Sequence, residues 1–317
     1  MTTDPARIAA SLSAYTKGSW VNGLAEWTDE ATQTAYLSVA FTWRLDEAYS
    51  RAAWFKGCGY RVIAGGPAFF TRPAYLDAVA EVPRSIEMVD GKPRLVLGRL
   101  EDAEVRHNPM ATHASEGCQV GCFFCIVPAM QGRKFTFLPD FTPRPVLTDN
   151  NLSALPADYQ QHIVDRYIAA DVPLLDANSG FEPKTFDDEV FARWRPINKG
   201  PWRFGSDETM ERADVERVIK MLRSAGVGAR RIQVYTMIGH EPFAECMARI
   251  QHVIDLGGEP YVQPMMKLNA LTKVPVVRHD WTRQRLGQVQ RWANRHLWRT
   301  VPFADYDASA KTDRLAA

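Results

Sequence analysis

Over residues 1–34 the chain is polar and only weakly periodic, which predicts an N-terminal arm with one helix around 5–16. The first strong signal is the apolar, β-rich run AYLSVAFTW (35–43), read as a strand. The next segment, LDEAYSRAAWFKGCG (45–59), switches to helical spacing at Ala48, Ala52, Trp54 and Phe55, with Gly57 and Gly59 as stop signals. YRVIAGGPAFF (60–70) returns to a strand pattern that ends in Gly65-Gly66-Pro67. Together these predict one small β-α-β, Rossmann-like unit. Residues 71–106, broken by proline and charge, predict a connector with a short strand at RLVLG (94–98).

From residue 107 the pattern becomes regular. Short apolar runs ending in polar residues occur at 110–115, 144–151, 172–180, 202–208, 231–240 and 260–268. Helical segments are predicted between them, at 157–170, 187–195, 209–225 and 242–256. In 209–225, Val215, Val218, Ile219 and Leu222 carry the amphipathic period. Strands alternating with helices imply a parallel sheet. Six such runs are too few for an eight-fold barrel, so the α/β fold expected is a partial (β/α)6 TIM-type barrel. The expected division is 1–106 (arm and β-α-β region), 107–268 (partial barrel) and 269–317 (a basic helical segment).

That last segment is where charge changes the picture. Between 264 and 303 stand Lys267, Lys273, Arg278, Arg283, Arg285, Arg291, Arg295 and Arg299 against the single Asp280, with Trp281, Trp292 and Trp298 interleaved. Cations can track phosphates and aromatics can stack on bases, which points to a nucleic acid or nucleotide. The same residues also describe an amphipathic capping helix, with Leu286, Val289, Trp292 and His296 as its apolar stripe and the arginines as its solvated face. A further reading has the tryptophans closing the open side of the barrel.

The net charge of +1 gives no bulk attraction to nucleic acid or membrane. No apolar run approaches the about 18 residues needed to span a bilayer, and the N-terminus lacks the apolar core of a signal peptide. Five cysteines, three of them crowded, fit a secreted disulfide framework badly and a reduced, cytoplasmic setting well.

The crowded three are Cys118, Cys122 and Cys125 in EGCQVGCFFCIV (116–127), spaced C-x3-C-x2-C. Zinc sites usually take four ligands, and no second cysteine pair exists, although His107 or His113 could complete a Cys3His set. Cys58 and Cys246 stand alone and are read as packed thiols. A redox disulfide needs two cysteines, not three. A 4Fe–4S cluster accounts for the count better, because three thiolates leave one iron corner open. Gly117 and Gly121 would let the backbone wrap closely, and Phe123 and Phe124 would keep water away. The loop follows a predicted strand, at the end where barrel-type α/β proteins place active sites.

This motif, with the aromatic Phe124 just before the third cysteine and its place after the first barrel strand, resembles the radical S-adenosylmethionine (radical SAM) superfamily. The resemblance implies a partial barrel of that family's kind and a 4Fe–4S cluster on Cys118, Cys122 and Cys125. It further implies S-adenosylmethionine chelated to the open iron and an external electron donor such as flavodoxin or ferredoxin. The cofactor would then be cleaved to methionine and a 5′-deoxyadenosyl radical that abstracts hydrogen from a substrate. Phe124 would lie among the cofactor contacts.

The family's Gly-Gly-Glu type motif at the next strand end is absent; LTDNN (147–151) stands there, and Asp149 and Asn150 are the matching acceptors. They could also be a polar strand end and helix cap. By the same resemblance Asn178, Arg203 and Ser206 are candidates for the cofactor ribose and carboxylate, and Ile238 and Gly239 match the fifth-strand residues packing near adenine.

The likeness covers roughly 107–268, and more narrowly HNPMATHASEGC, PVLTDNNL, NSGFEP and RFGSDE together resemble a group of small bacterial and phage radical SAM proteins with no general substrate. The region before it resembles a trimmed cobalamin-binding domain, but no histidine precedes His107, so the cobalt-ligating motif is missing. The expected function is therefore a radical SAM enzyme acting on a nucleic-acid base or nucleotide. The alternatives are a peptide or small metabolite as substrate, or a non-catalytic iron–sulfur or zinc protein. No cysteine follows Cys246, which disfavours the peptide branch, whose members often carry extra cluster domains.

Overall fold

The structure, a computed structural model, describes residues 20–307. The helix expected at 5–16 lies outside the described residues. The fold is mixed α/β and divides into two compact units, Met1–Pro201 with Lys267–Val274, and Trp202–Met266 with Pro275–Ala317.

The first unit opens with β1 (Leu24–Asp29) and β2 (Thr34–Val39), an antiparallel pair. Their turn is pinned by the Asp29 carboxylate, which accepts from Ala31 N (3.0 Å) and Thr32 Oγ1 (2.7 Å). β2 then pairs in parallel with β3 (Arg61–Gly65) through helix α1 (Leu45–Gly57), the β-α-β unit expected from sequence. Leu37, Val39, Leu45, Ala48, Phe55 and Phe69 form its core. β1 was hidden in the supposed arm because this edge strand buries only Ala25 and so shows no apolar face. The run 60–70 is shorter as a strand than expected. It stops at Gly65, and Ala68–Thr71 form a one-turn helix, α2.

The expected connector holds a hairpin, β4 (Arg84–Val89) and β5 (Lys92–Leu97), of which sequence reading found only the second strand. Its two-residue turn is Asp90-Gly91, both at positive φ, the geometry that matches strand twist. The partners Ile86↔Leu95 and Met88↔Pro93 share one face, and Ile86, Met88 and Leu95 are each more than half exposed. After helix α3 (Ala103–His107) comes β6 (Ala111–Thr112). A small antiparallel pair follows, β7 (Ser115–Glu116) with β8 (Thr136–Phe137), bracketing the cysteines and helix α4 (Val127–Met130). β9 (Val146–Leu147) lies between β6 and β10 (Asp176–Ala177) in a parallel sheet. Helices α5 (Ala157–Ala169) and α6 (Asp188–Trp194) fall where the apolar period placed them.

The second unit is a parallel sheet in chain order, β11 (Trp202–Gly205), β12 (Ile232–Ile238) and β13 (Glu259–Pro264), linked by α7 (Arg212–Ser224) and α8 (Phe243–Asp255). Val215, Val218, Ile219 and Leu222 on α7 are all buried, as their spacing requires. The C-terminal helix is α9 (Arg283–Asn294), burying Leu286, Val289, Trp292 and Ala293. His296, expected in that stripe, instead lies past the helix end at φ 56. Asn294 covers the free edge of β13: its Oδ1 accepts from Val262 N (2.7 Å) and its Nδ2 donates to Val262 O (2.9 Å).

The six expected parallel strands therefore exist, but as two separate three-stranded sheets, and no closed barrel occurs among the described residues. Nor is any described helix long and apolar enough to cross a membrane.

Candidate cysteine-loop site

The segment from Glu116 to Lys134 leaves the end of β7, shortly after β6, and carries all three crowded cysteines. It is irregular, so its shape is set by backbone bonds and side chains that reach in. Cys118 N donates to Gly132 O (3.2 Å) and Cys125 N to Cys122 O (3.0 Å). Gly117 (φ 90) and Gly121 (φ 72) lie in the left-handed region. A Cβ at Gly117 would collide with the Lys134 carbonyl, which is backbone, whereas one at Gly121 would meet only the Arg133 side chain.

Hairpin β4–β5 clasps this segment from outside. The Asp90 carboxylate accepts from Arg133 N (2.9 Å) and Lys134 N (2.8 Å), and Arg94 Nη1 donates to Ala129 O (3.0 Å). Arg99 pairs with both Glu87 and Glu116 (3.0 Å each).

The end of β9 holds it from inside. Asn150 Nδ2 donates to Gln131 Oε1 (2.7 Å) and to Gly117 O (3.2 Å), and Gln131 Oε1 also accepts from Gly117 N (3.2 Å). Asp149, 1% exposed, accepts from Ala114 N (2.9 Å) and from Ser115 Oγ. Burial pushes its carboxyl up to about 6, against the lowering effect of those hydrogen bonds. Beside it Tyr159 Oη donates to Ala114 O (2.6 Å). Thr148 donates to Glu104, whose other oxygen meets His113 Nδ1 at 2.7 Å. That hydrogen bond is the main reason the His113 pKa is raised. Glu104, Gln131 and Tyr159 were not singled out from sequence. Each is an ordinary polar residue whose role depends on a partner tens of positions away.

The thiols differ in exposure. Cys118 is buried, and Cys122 and Cys125 are half-buried. Burial raises the Cys125 thiol pKa, with Cys118 adding to it, while the Val127 N–H, 3.4 Å from Cys125 Sγ, lowers it. Phe124 is half-buried edge-on to Phe123, ring centroids 5.3 Å apart; Phe123 is more than half exposed and covers little. His107 is bonded to Ser38 (3.0 Å) and His113 to Glu104, so each expected fourth zinc ligand is engaged elsewhere. Of the two lone thiols Cys246 is buried as expected, whereas Cys58 is exposed at the end of α1.

Among the described residues no three His, Cys, Asp or Glu side chains stand together as a finished ligand cage. What fits an iron–sulfur cluster is the donor set, three thiols on one segment, and the glycine-containing backbone around them.

The remaining sequence candidates fall in two places. Asn178 follows β10 in the first unit. Its N–H donates to Leu147 O (2.9 Å), and its half-buried side chain has no hydrogen-bond partner among the described residues. Arg203, Ser206, Ile238 and Gly239 belong to the second unit. Arg203 Nη1 donates to Tyr235 Oη (2.8 Å). Ser206 is buried, its N–H given to Tyr235 O (2.8 Å) and its carbonyl accepting from Arg249. Arg249, unmarked in the sequence reading, is a buried cation that also donates to Met237 O (2.9 Å) and pairs with Glu241 (3.0 Å), tying together the ends of β11 and β12. Ile238 is wholly buried in the core with Trp281 and Leu286, and the Gly239 carbonyl accepts from Arg278 N (3.1 Å). The chain matches no protein-family model and no curated protein sequence.

Proposed function

We propose that the chain is a radical SAM enzyme whose Cys118, Cys122 and Cys125 hold a 4Fe–4S cluster. The observation that carries this is the cysteine loop itself: three thiols on one segment between β7 and β8, after the parallel strand β6, gripped by Asn150 and Gln131. When bound, such a cluster supplies the electron that cleaves S-adenosylmethionine to methionine and a 5′-deoxyadenosyl radical. The finer fold reading, a (β/α)6 partial barrel, is supported by the chain order of strands within each sheet.

The chain's own residues prepare that chemistry. The thiols must lose protons to ligate iron, and burial opposes this at Cys125, so ligation releases protons and strengthens with pH. The Val127 N–H stabilises the anionic sulfur. Asp149 spends both oxygens on Ala114 and Ser115, so its role is to fix the strand end preceding the loop. Asn178 is the first-unit candidate with a side chain left to offer a cofactor. Reduction takes an external one-electron donor, and a reduced, cytoplasmic setting suits cysteines that form no disulfide. The proposed substrate is a nucleic-acid base or nucleotide. Trp281 and Trp292 do not support it, being buried with their indole N–H groups given to Glu241 O (2.8 Å) and Val301 O (2.7 Å). Arg283, Arg291 and Arg295 remain exposed.

The test is to incubate the reconstituted protein with dithionite and S-adenosylmethionine without oxygen. Formation of 5′-deoxyadenosine and methionine above the protein-free background is expected. Background levels only, with cell extract supplied as substrate source, would sink the reading.

A further inference from the structure

The β4–β5 hairpin has two unlike faces. Side chains alternate along each strand, so Glu87, Val89 and Arg94 point one way and Ile86, Met88 and Leu95 the other. The first face lies on the cysteine-bearing segment. Arg94 Nη1 reaches Ala129 O (3.0 Å), Arg99 bridges Glu87 to Glu116 (3.0 Å each), and the buried Val89 lies so close to Gly132 that a Cβ there would collide with it. The second face is open: Ile86 is 71% exposed, Met88 67% and Leu95 56%. One exposed apolar residue is ordinary, but these stand side by side, with the exposed Pro93 opposite Met88, and a contiguous apolar patch marks an interaction surface.

Charge is uneven along the hairpin. At its base Arg99 is balanced by Glu87 and Glu116, and Arg84 lies 3.7 Å from Asp77. At its turn end Lys92, Arg94, Arg133 and Lys134 are all exposed and stand against the carboxylate of Asp90, which accepts from Arg133 N and Lys134 N.

We propose that this apolar face and basic turn end dock an acidic one-electron carrier protein that reduces the cluster. The carrier's role rests on the radical SAM reading; the docking surface rests on the hairpin alone. Carboxylates on the partner are drawn to the turn end, and the apolar patch holds what charge has steered there. Size fits such a partner. Three apolar side chains supply the centre of a transient contact, and redox encounters bury less than about 1,200 Å², whereas a permanent dimer needs about 2,000 Å² or more. Position fits it too, because the hairpin's inner face and turn end rest on the segment that carries the thiols. One electron leaves the carrier, which is oxidised, and reduces the cluster; no bond forms or breaks.

The experiment uses the full chain, as isolated and after anaerobic reconstitution, titrated calorimetrically with a flavodoxin and a ferredoxin at low and high salt. At least one carrier should bind, and more weakly as salt rises. Ile86→Glu combined with Met88→Glu should weaken binding about tenfold or more by setting like charges against the carrier. Both positions are exposed, so the melting temperature should not move. Lys92→Glu should weaken binding and flatten its salt dependence. In the reconstituted protein these variants should slow 5′-deoxyadenosine formation driven by the carrier and leave formation driven by dithionite, which needs no docking, unchanged. No carrier bound at low salt, binding indifferent to all three substitutions, or an equal loss with dithionite would overturn the proposal. So would a dimer of the chain that Met88→Glu breaks, which would give the face to a second copy. Carrier binding that the substitutions weaken, with no 5′-deoxyadenosine formed from dithionite, would remove the enzyme reading and leave the docking surface standing.

Discussion

In the first unit the parallel strands β6, β9 and β10 are two residues long, whereas β11, β12 and β13 in the second run four, seven and six residues. The longer strands are held by apolar packing from α8 and α9 around Ile238, Val262, Leu286 and Trp292. The short ones are held at their ends by side chains: Asp149 on Ala114 and Ser115, Asn150 on Gly117, Thr148 on Glu104. Packing tolerates exchange of one apolar side chain for another of similar size. Hydrogen bonds to a loop fix particular atoms, and a partner lost inside leaves a polar group unsatisfied. A loop that must present three thiols together needs the second kind of support.

The largest expected effect lies on the packed side. Trp292 is buried against Phe303, centroids 5.4 Å apart, and Trp292→Ala should cost about 3–5 kcal/mol. An unfolding free energy, from denaturant titration, lowered by less than about 1 kcal/mol would show that packing does not hold this unit.

Next is Asp149, where the comparison becomes a pH dependence. Its pKa is raised in the folded chain from the ordinary 3.8 to about 6, so the fold binds this proton more tightly than the unfolded chain does. Stability from this group is therefore full below about pH 4, declines between about 4 and 6, and is level above, by about 3 kcal/mol in all. Asp149→Asn should flatten that slope and keep the Ala114 hydrogen bond. Asp149→Ala should instead leave Ala114 N unpaired, cost about 1–3 kcal/mol, and loosen the cysteine loop. Unfolding curves across pH 4–7 check both, and equal slopes in wild type and Asp149→Asn would contradict the assignment.

The smallest effect separates two glycines. Gly117→Ala should cost about 1–2 kcal/mol for the left-handed backbone, plus displacement of the Lys134 carbonyl. Gly121→Ala has the same backbone cost but displaces only the Arg133 side chain, so it should be milder. Iron uptake on reconstitution should fall more for Gly117→Ala; the reverse order would place the tight approach elsewhere.

Regions with a clear apolar period were legible in the sequence. The helices of the alternating region begin within three residues of their expected positions, for instance Arg212–Ser224 against 209–225. Strand positions were legible too, because each apolar run ends in polar residues. What could not be read is what lacks a period. Strand β1 buries one alanine, and hairpin β4–β5 puts Ile86, Met88 and Leu95 on an exposed face. The division after Pro201 leaves no mark, since the alternation runs straight through it. Cysteine spacing marked the candidate site, but its supports did not show: Asp90, Gln131 and Glu104 act through contacts made only on folding.

The account turns on Cys118, Cys122 and Cys125, and the most direct measurement is metal and sulfide content after anaerobic reconstitution. About four iron and four sulfide per chain are predicted, with none retained when all three are changed to alanine. One zinc per chain in protein purified without oxygen, and no cluster formed on reconstitution, would contradict it.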